Sequence, residues 1–136
     1  MASLKDVVFD SHHPASIARF WSNALDEYEI APYDEAELAR LREMGIDDPE
    51  DDPSVLLQRV DGRGPRIFFQ KIPESKTTKN RVHLDLKADD ADAEVTRLIA
   101  LGASVSADHG HLVTMLDPEG NEFCVLRARD SAAAHD

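Results

Sequence analysis

The residues best able to do chemistry sit at alternating positions. Arg81, His83 and Asp85 alternate with Val82, Leu84 and Leu86, and Glu122 and Cys124 alternate with Phe123 and Val125. Strand side chains point to opposite faces in turn, so each set puts its polar members on one face and its apolar members on the other. The same parity groups Asp6, Val8 and Asp10, and separately Phe68 and Gln70. An imidazole beside a carboxylate can accept a proton or hydrogen-bond a ligand. Imidazole, carboxylate and thiol together can also hold a metal. The structural reading of the charges is that Arg81, Asp85 and Glu122 form an ion-pair network, because partly buried charges are normally paired.

Other candidates carry less. His12-His13 precedes Pro14 and fits a capping role better than a metal site. His109-Gly110-His111 fits a hairpin loop. Lys76, Lys79 and Arg81 form a small basic cluster that either attracts an anionic ligand or offsets nearby acids. Trp21, beside Phe20, reads as core or as a dimer contact.

The elements that must position these groups follow from periodicity. Leu4 to Asp10 reads as a strand, Ala15 to Leu25 as a helix with Ile17, Phe20, Trp21 and Leu25 on one stripe, and Tyr28 to Ala31 as a short strand. Asp34 caps a second helix to Met44, which Gly45 stops. Asp47 to Pro53 reads as a solvated acidic loop. Ser54 to Val60 and Pro65 to Ile72 form a hairpin about Asp61-Gly62-Arg63-Gly64. After a polar linker, Pro73 to Lys79, the order starts again. Asn80 to Lys87 is a strand, and a helix runs from the capping residues Asp89 and Asp90 to Leu101. Ala103 to Ala107, His111 to Leu116 and Glu122 to Arg127 are strands. The aliphatic face of Val82, Leu84 and Leu86 is expected to meet the helix carrying Val95 and Leu98. Ser131 to Asp136 reads as a frayed tail. The repeat of strand, helix and about three strands is an internal duplication, with one helix inserted in the first copy.

At 136 residues the chain is expected to form one domain. Apolar residues make up 42% and charged residues 31%, as in ordinary globular proteins. The 27 acidic residues against 15 basic ones disfavour nucleic acid or an anionic membrane as partner. No apolar run is long enough to span a bilayer, and MASLKDVVFD does not read as a secretory signal, so a cytoplasmic location is expected. The single cysteine, Cys124, agrees with a reducing compartment.

Three motifs carry a family resemblance. They are Asp10 with His13-Pro14 and Ala18-Arg19-Phe20-Trp21; Phe69 to Glu74 followed by Lys79 to Leu86; and the turn and strand Asp117 to Leu126. In order and spacing the chain resembles the glyoxalase/bleomycin-resistance/dioxygenase proteins of the vicinal oxygen chelate superfamily, and most of all their small glyoxalase-like members of actinobacterial type. The resemblance implies an α+β fold. Two βαβββ modules, at 4–73 (inserted helix 34–44) and 80–128, form an open cup-shaped eight-stranded mixed sheet with helices outside, and the family commonly dimerises.

Metal-dependent members place one ligand on the first and last strand of each module. Carried over, these positions are Asp6, Phe68 or Gln70, His83 and Cys124. The last lies seven residues past Asp117, where the family usually has Glu, so Glu122 is two residues early. Only His83 is a plain match, and a catalytic site needs about three good ligands. The expectation is therefore no metal and no cofactor, with a planar or hydrophobic small molecule in the cup. Its lining would be Asp10, Phe68, Gln70, Arg81, His83, Asp85, Glu122 and Cys124, with the 34–44 helix as a lid. Two alternatives stay open. One is a metal-dependent lyase, isomerase or dioxygenase using Asp6, His83 and Cys124; the other is a metal-free proton-transfer enzyme using His83.

Overall fold

The computed structural model describes residues 1–127; the tail expected at Ser131 to Asp136 lies outside them. The chain divides into two compact units, Met1–Ser75 and a second that begins at Lys76, inside the polar linker.

Unit 1 contains β1 (Asp6–Ser11), α1 (Pro14–Ala24), β2 (Tyr28–Ile30), α2 (Glu35–Glu43), a 3-10 turn (Pro49–Asp51), β3 (Ser54–Arg59) and β4 (Arg66–Lys71). Its sheet order is β1-β4-β3-β2, with β1 and β4 parallel and the other pairs antiparallel. Alternation sorts the sheet as the sequence pattern predicts. Val55, Leu57, Ile67 and Phe69 are buried, as are Ile17, Phe20 and Trp21 of α1, the helix that lies against β2, β3 and β4. The opposite face carries Asp6, Asp10, Phe68 and Gln70. Trp21 is therefore core here, edge-on to Phe20 with ring centroids 5.1 Å apart.

α2 forms as an insertion, capped by Asp34, whose carboxylate accepts the Glu37 N–H at 2.9 Å. The segment after it corrects the expectation of a purely solvated loop. Asp52 is only 2% exposed. Its carboxylate accepts from the Tyr33 hydroxyl at 2.7 Å and from the Ser54 N–H at 2.9 Å, and Arg40 stands 3.8 Å away. Each of these partners compensates the hydration that the carboxylate loses on burial. Burial and the facing Asp52 carboxylate push the Tyr33 phenol well above its ordinary range.

Unit 2 repeats the topology with β5 (Leu84–Lys87), α3 (Ala91–Leu101), β6 (Ser104–Asp108), β7 (Leu112–Leu116) and β8 (Glu122–Leu126). The order is β5-β8-β7-β6, with β5 and β8 parallel. Leu98 of α3 is fully buried, together with Met115, Phe123 and Val125, and α3 lies against β6 and β8. β5 begins at Leu84, four residues later than the alternation predicted. The reason is local. Asn80 is already engaged, its N–H and side-chain amide donating to Glu122 and Asn121 at 3.1 and 2.8 Å. Val82, expected on the aliphatic face, is instead 69% exposed.

Candidate functional site in the second unit

The parallel pair β5–β8 fixes the centre of the site. Asp85 stands in register with Cys124, and Cys124 in register with Thr114 of β7. These three side chains form a row on the face away from Phe123 and Val125. His83, just before β5, turns its ring onto the same row, with Nε2 3.2 Å from Asp85 Oδ1. Both side chains are 34% exposed, so solvent and solutes reach them. Cys124 is only 6% exposed and lies beneath them, with Thr114 Oγ1 3.6 Å from its sulfur. One donor atom each from His83, Asp85 and Cys124 lies within 4.8 Å of the other two.

Glu122, on the same face, is already committed. Its carboxylate accepts from Lys76 Nζ at 3.0 Å and from the Asn80 N–H at 3.1 Å. Burial raises its affinity for a proton. Those donors outweigh that effect and hold it below the usual carboxylate range. The ion-pair network expected among Arg81, Asp85 and Glu122 is thus built differently: Lys76 is the cation on Glu122, and His83 is beside Asp85. Arg81 is exposed. The turn ahead of β8 is rigidly specified. The buried Asp117 carboxylate accepts the backbone N–H groups of Glu119 and Asn121 at 2.9 Å each, and Gly120 supplies the positive φ of 88°.

In unit 1 the remaining candidates form other pairs. Asp10 accepts from Gln70 Nε2 at 3.0 Å. Phe68 lies under the Arg66 guanidinium, 5.2 Å from ring centroid to carbon. Asp6 is gripped by Arg66 through two hydrogen bonds of 2.8 and 3.2 Å, which hold its carboxyl below the ordinary range. His13 occupies the α1 N-cap position without a side-chain cap bond. Its ring Nε2 instead meets the Glu50 carbonyl at 3.1 Å, and Arg19 holds the Glu50 carboxylate. In unit 2, His111 Nδ1 meets the His109 carbonyl at 3.2 Å. Lys79 donates to the Asn80 carbonyl.

The metal set implied by the resemblance does not fit these residues. Asp6 is spent on Arg66, Phe68 has no donor atom, and Gln70, whose Nε2 donates to Asp10, offers only a neutral amide oxygen, a weak ligand. Asp85, absent from that set, completes a cluster with His83 and Cys124. Its position two residues after His83 was the signal in the sequence.

Comparison with known proteins gives a consistent picture. The family described as the glyoxalase-like domain matches residues 6–126. No curated protein matches. Among solved structures, the fosfomycin resistance protein FosX from Mesorhizobium loti is similar over 99% of both chains, with 14% identity and a TM-score of 0.65. A glyoxalase/bleomycin resistance protein/dioxygenase family enzyme from Burkholderia phytofirmans PsJN is similar over 91% of this chain and 97% of its own, with 18% identity and a TM-score of 0.62. A variant of FosX from Listeria monocytogenes, solved with Mn(II) and 1S,2S-dihydroxypropylphosphonic acid, covers 93% of this chain and 90% of its own at 11% identity and a TM-score of 0.62.

Proposed function

We propose, on the premise that this chain belongs to the glyoxalase-like domain family of the vicinal oxygen chelate superfamily, that it binds a small organic molecule at the polar row of its second sheet. The observation that carries this is the His83–Asp85 pair, 3.2 Å apart and 34% exposed, on the sheet face opposite buried Phe123 and Val125. A carboxylate fixes the orientation of an imidazole and thereby which ring nitrogen meets a ligand. Half-buried Leu116 and Leu126 share that face and offer apolar contact. The same pair supports the metal-free proton-transfer reading, in which His83 takes a proton from the bound molecule. Self-association of the chain, common in the family, belongs to this reading and is checked by sedimentation.

The test is a thermal-shift screen in the presence of a chelator. The panel holds aromatic and hydrophobic metabolites and antibiotics. Fosfomycin is included because similar structures are named as fosfomycin resistance proteins; at 14% and 11% identity the likeness carries the fold and not the substrate. A ligand at ten times its Kd stabilises by about 1.4 kcal/mol, a rise of several degrees in Tm. The shift should vanish in His83→Ala. No binder in the panel, or a binder indifferent to both His83→Ala and Asp85→Asn, overturns the proposal.

A further inference from the structure

Two of the three donors of unit 2, Asp85 and Cys124, have no counterparts in unit 1, although the strand order is the same. Asp6 precedes the α1 N-cap His13 by as many residues as His83 precedes the α3 N-cap Asp90. By that alignment Val8 corresponds to Asp85. Val8 pairs in register with Phe68 as Asp85 pairs with Cys124. One module therefore has two apolar side chains where the other has a carboxylate and a thiol. Parallel neighbours sit about 4.8 Å apart at the backbone, so Asp85 and Cys124 converge without distortion.

We infer that unit 2 alone holds one divalent cation of the zinc class, on His83, Asp85 and Cys124, with a further position open to a solvent or ligand oxygen. This site shares His83 and Cys124 with the set the resemblance implies, and differs from it in using Asp85 and no residue of the first module. It goes beyond the organic-ligand reading and does not require it.

Donor type, spacing, charge and access all support the inference. A neutral imidazole, a carboxylate and a thiolate are each ordinary zinc donors, and the soft sulfur disfavours hard oxygen-seeking ions such as Mn2+. In a tetrahedral site the donors stand about 3.3–3.8 Å apart, given zinc–donor bonds of 2.0–2.3 Å. The donors here lie within 4.8 Å of one another, so the site closes when they draw in by about an ångström. Thiolate and carboxylate together neutralise a divalent charge, which suits a position above a buried sulfur. The half-exposed ring and carboxylate leave a path of entry. The Thr114 hydroxyl, 3.6 Å from the sulfur, is placed to donate to the thiolate as an outer-sphere support.

Cobalt substitution tests this directly. Metal-free protein is titrated with Co2+ and followed by absorption. One cobalt per chain is expected, with a thiolate-to-cobalt charge-transfer band in the near ultraviolet. Zn2+ should erase the band and an equal amount of Mn2+ should not. Cys124→Ser and His83→Ala should each lose it, and Asp6→Asn should retain it. Should Cys124→Ser fail to fold, His83→Ala and Asp85→Ala decide, since both alter side chains at the surface. No band in the native protein, a band that survives His83→Ala and Asp85→Ala, or loss of the band in Asp6→Asn overturns the inference. The organic-ligand screen is run in chelator, so failure of one proposal is separate from failure of the other.

Discussion

Asp85 of β5 and Cys124 of β8 are in-register partners, and Asp85 also meets the ring of His83 at 3.2 Å, so the carboxylate lies between an exposed imidazole and a buried thiol. The burial of Cys124 makes a prediction about reactivity. A thiol reagent can reach the sulfur only when the sheet opens locally. In chelator, native protein should be labelled about a hundredfold or more slowly than the urea-unfolded chain, a local opening cost of ~3 kcal/mol. Equal rates would show that Cys124 is not held beneath the pair.

The elements were largely legible in the sequence because each has its own punctuation. Asp34 and Asp90 cap their helices as predicted, Gly102 ends α3, and parity assigns Phe69 and Phe123 to the buried faces. The pairings were not legible. Which cation would take Glu122 depended on the path of Lys76 to Asn80, and linker composition says nothing about path. Asp52 looked like one more acid in a polar loop, and only the approach of Tyr33 from nineteen residues away reveals a reason for burial. The His83–Asp85–Cys124 cluster lay half open to reading. Alternation placed its members on one face, and the β5–β8 register then brought them together.

The Glu122 clamp should be a stability feature. Its carboxylate is 15% exposed and binds both Lys76 and the Asn80 N–H. Lys76→Ala leaves a mostly buried carboxylate with reduced compensation and should cost about 1–2 kcal/mol. Glu122→Gln keeps the shape and should cost less. Urea denaturation of both variants checks the order.

Tyr33→Phe should be the more informative change in unit 1. It removes one hydroxyl and leaves Asp52 buried, with the Ser54 N–H and Arg40 remaining. A loss of about 1–2 kcal/mol is expected. In Asp52→Asn the charge is gone, so the further loss on adding Tyr33→Phe should be smaller. A double-mutant cycle measures that coupling, and strict additivity would show that the hydroxyl and carboxylate do not interact.

Gly102→Ala addresses the end of α3. The residue has φ 122°, and an added Cβ would lie 3.3 Å from Pro118 Cγ. Backbone strain and that contact act together, so a cost of about 1–3 kcal/mol is expected. Gly110→Ala, with open space around it, should carry the strain alone and cost less. Thermal or urea unfolding of the pair distinguishes the two contributions.

The acid limb of stability should trace to the hairpin carboxylates. Hydrogen bonding to Arg127, aided by the Gly110 N–H, lowers Asp108 to about 2. Arg59, aided by the Arg63 N–H, does the same to Asp61. A carboxylate whose folded pKa is depressed binds protons more readily in the unfolded chain. Its stabilising effect is therefore complete above the unfolded value, near 4, and is lost as pH falls toward about 2. Stability set by these groups should be flat above about pH 5 and fall below about pH 4. Asp108→Asn and Asp61→Asn should each flatten part of that decline. Both pairs are at the surface, so raising the salt concentration should shrink the difference between variant and parent. Denaturation curves from pH 2 to 7 at two ionic strengths test the assignment. A decline equally steep in both variants would place its origin elsewhere.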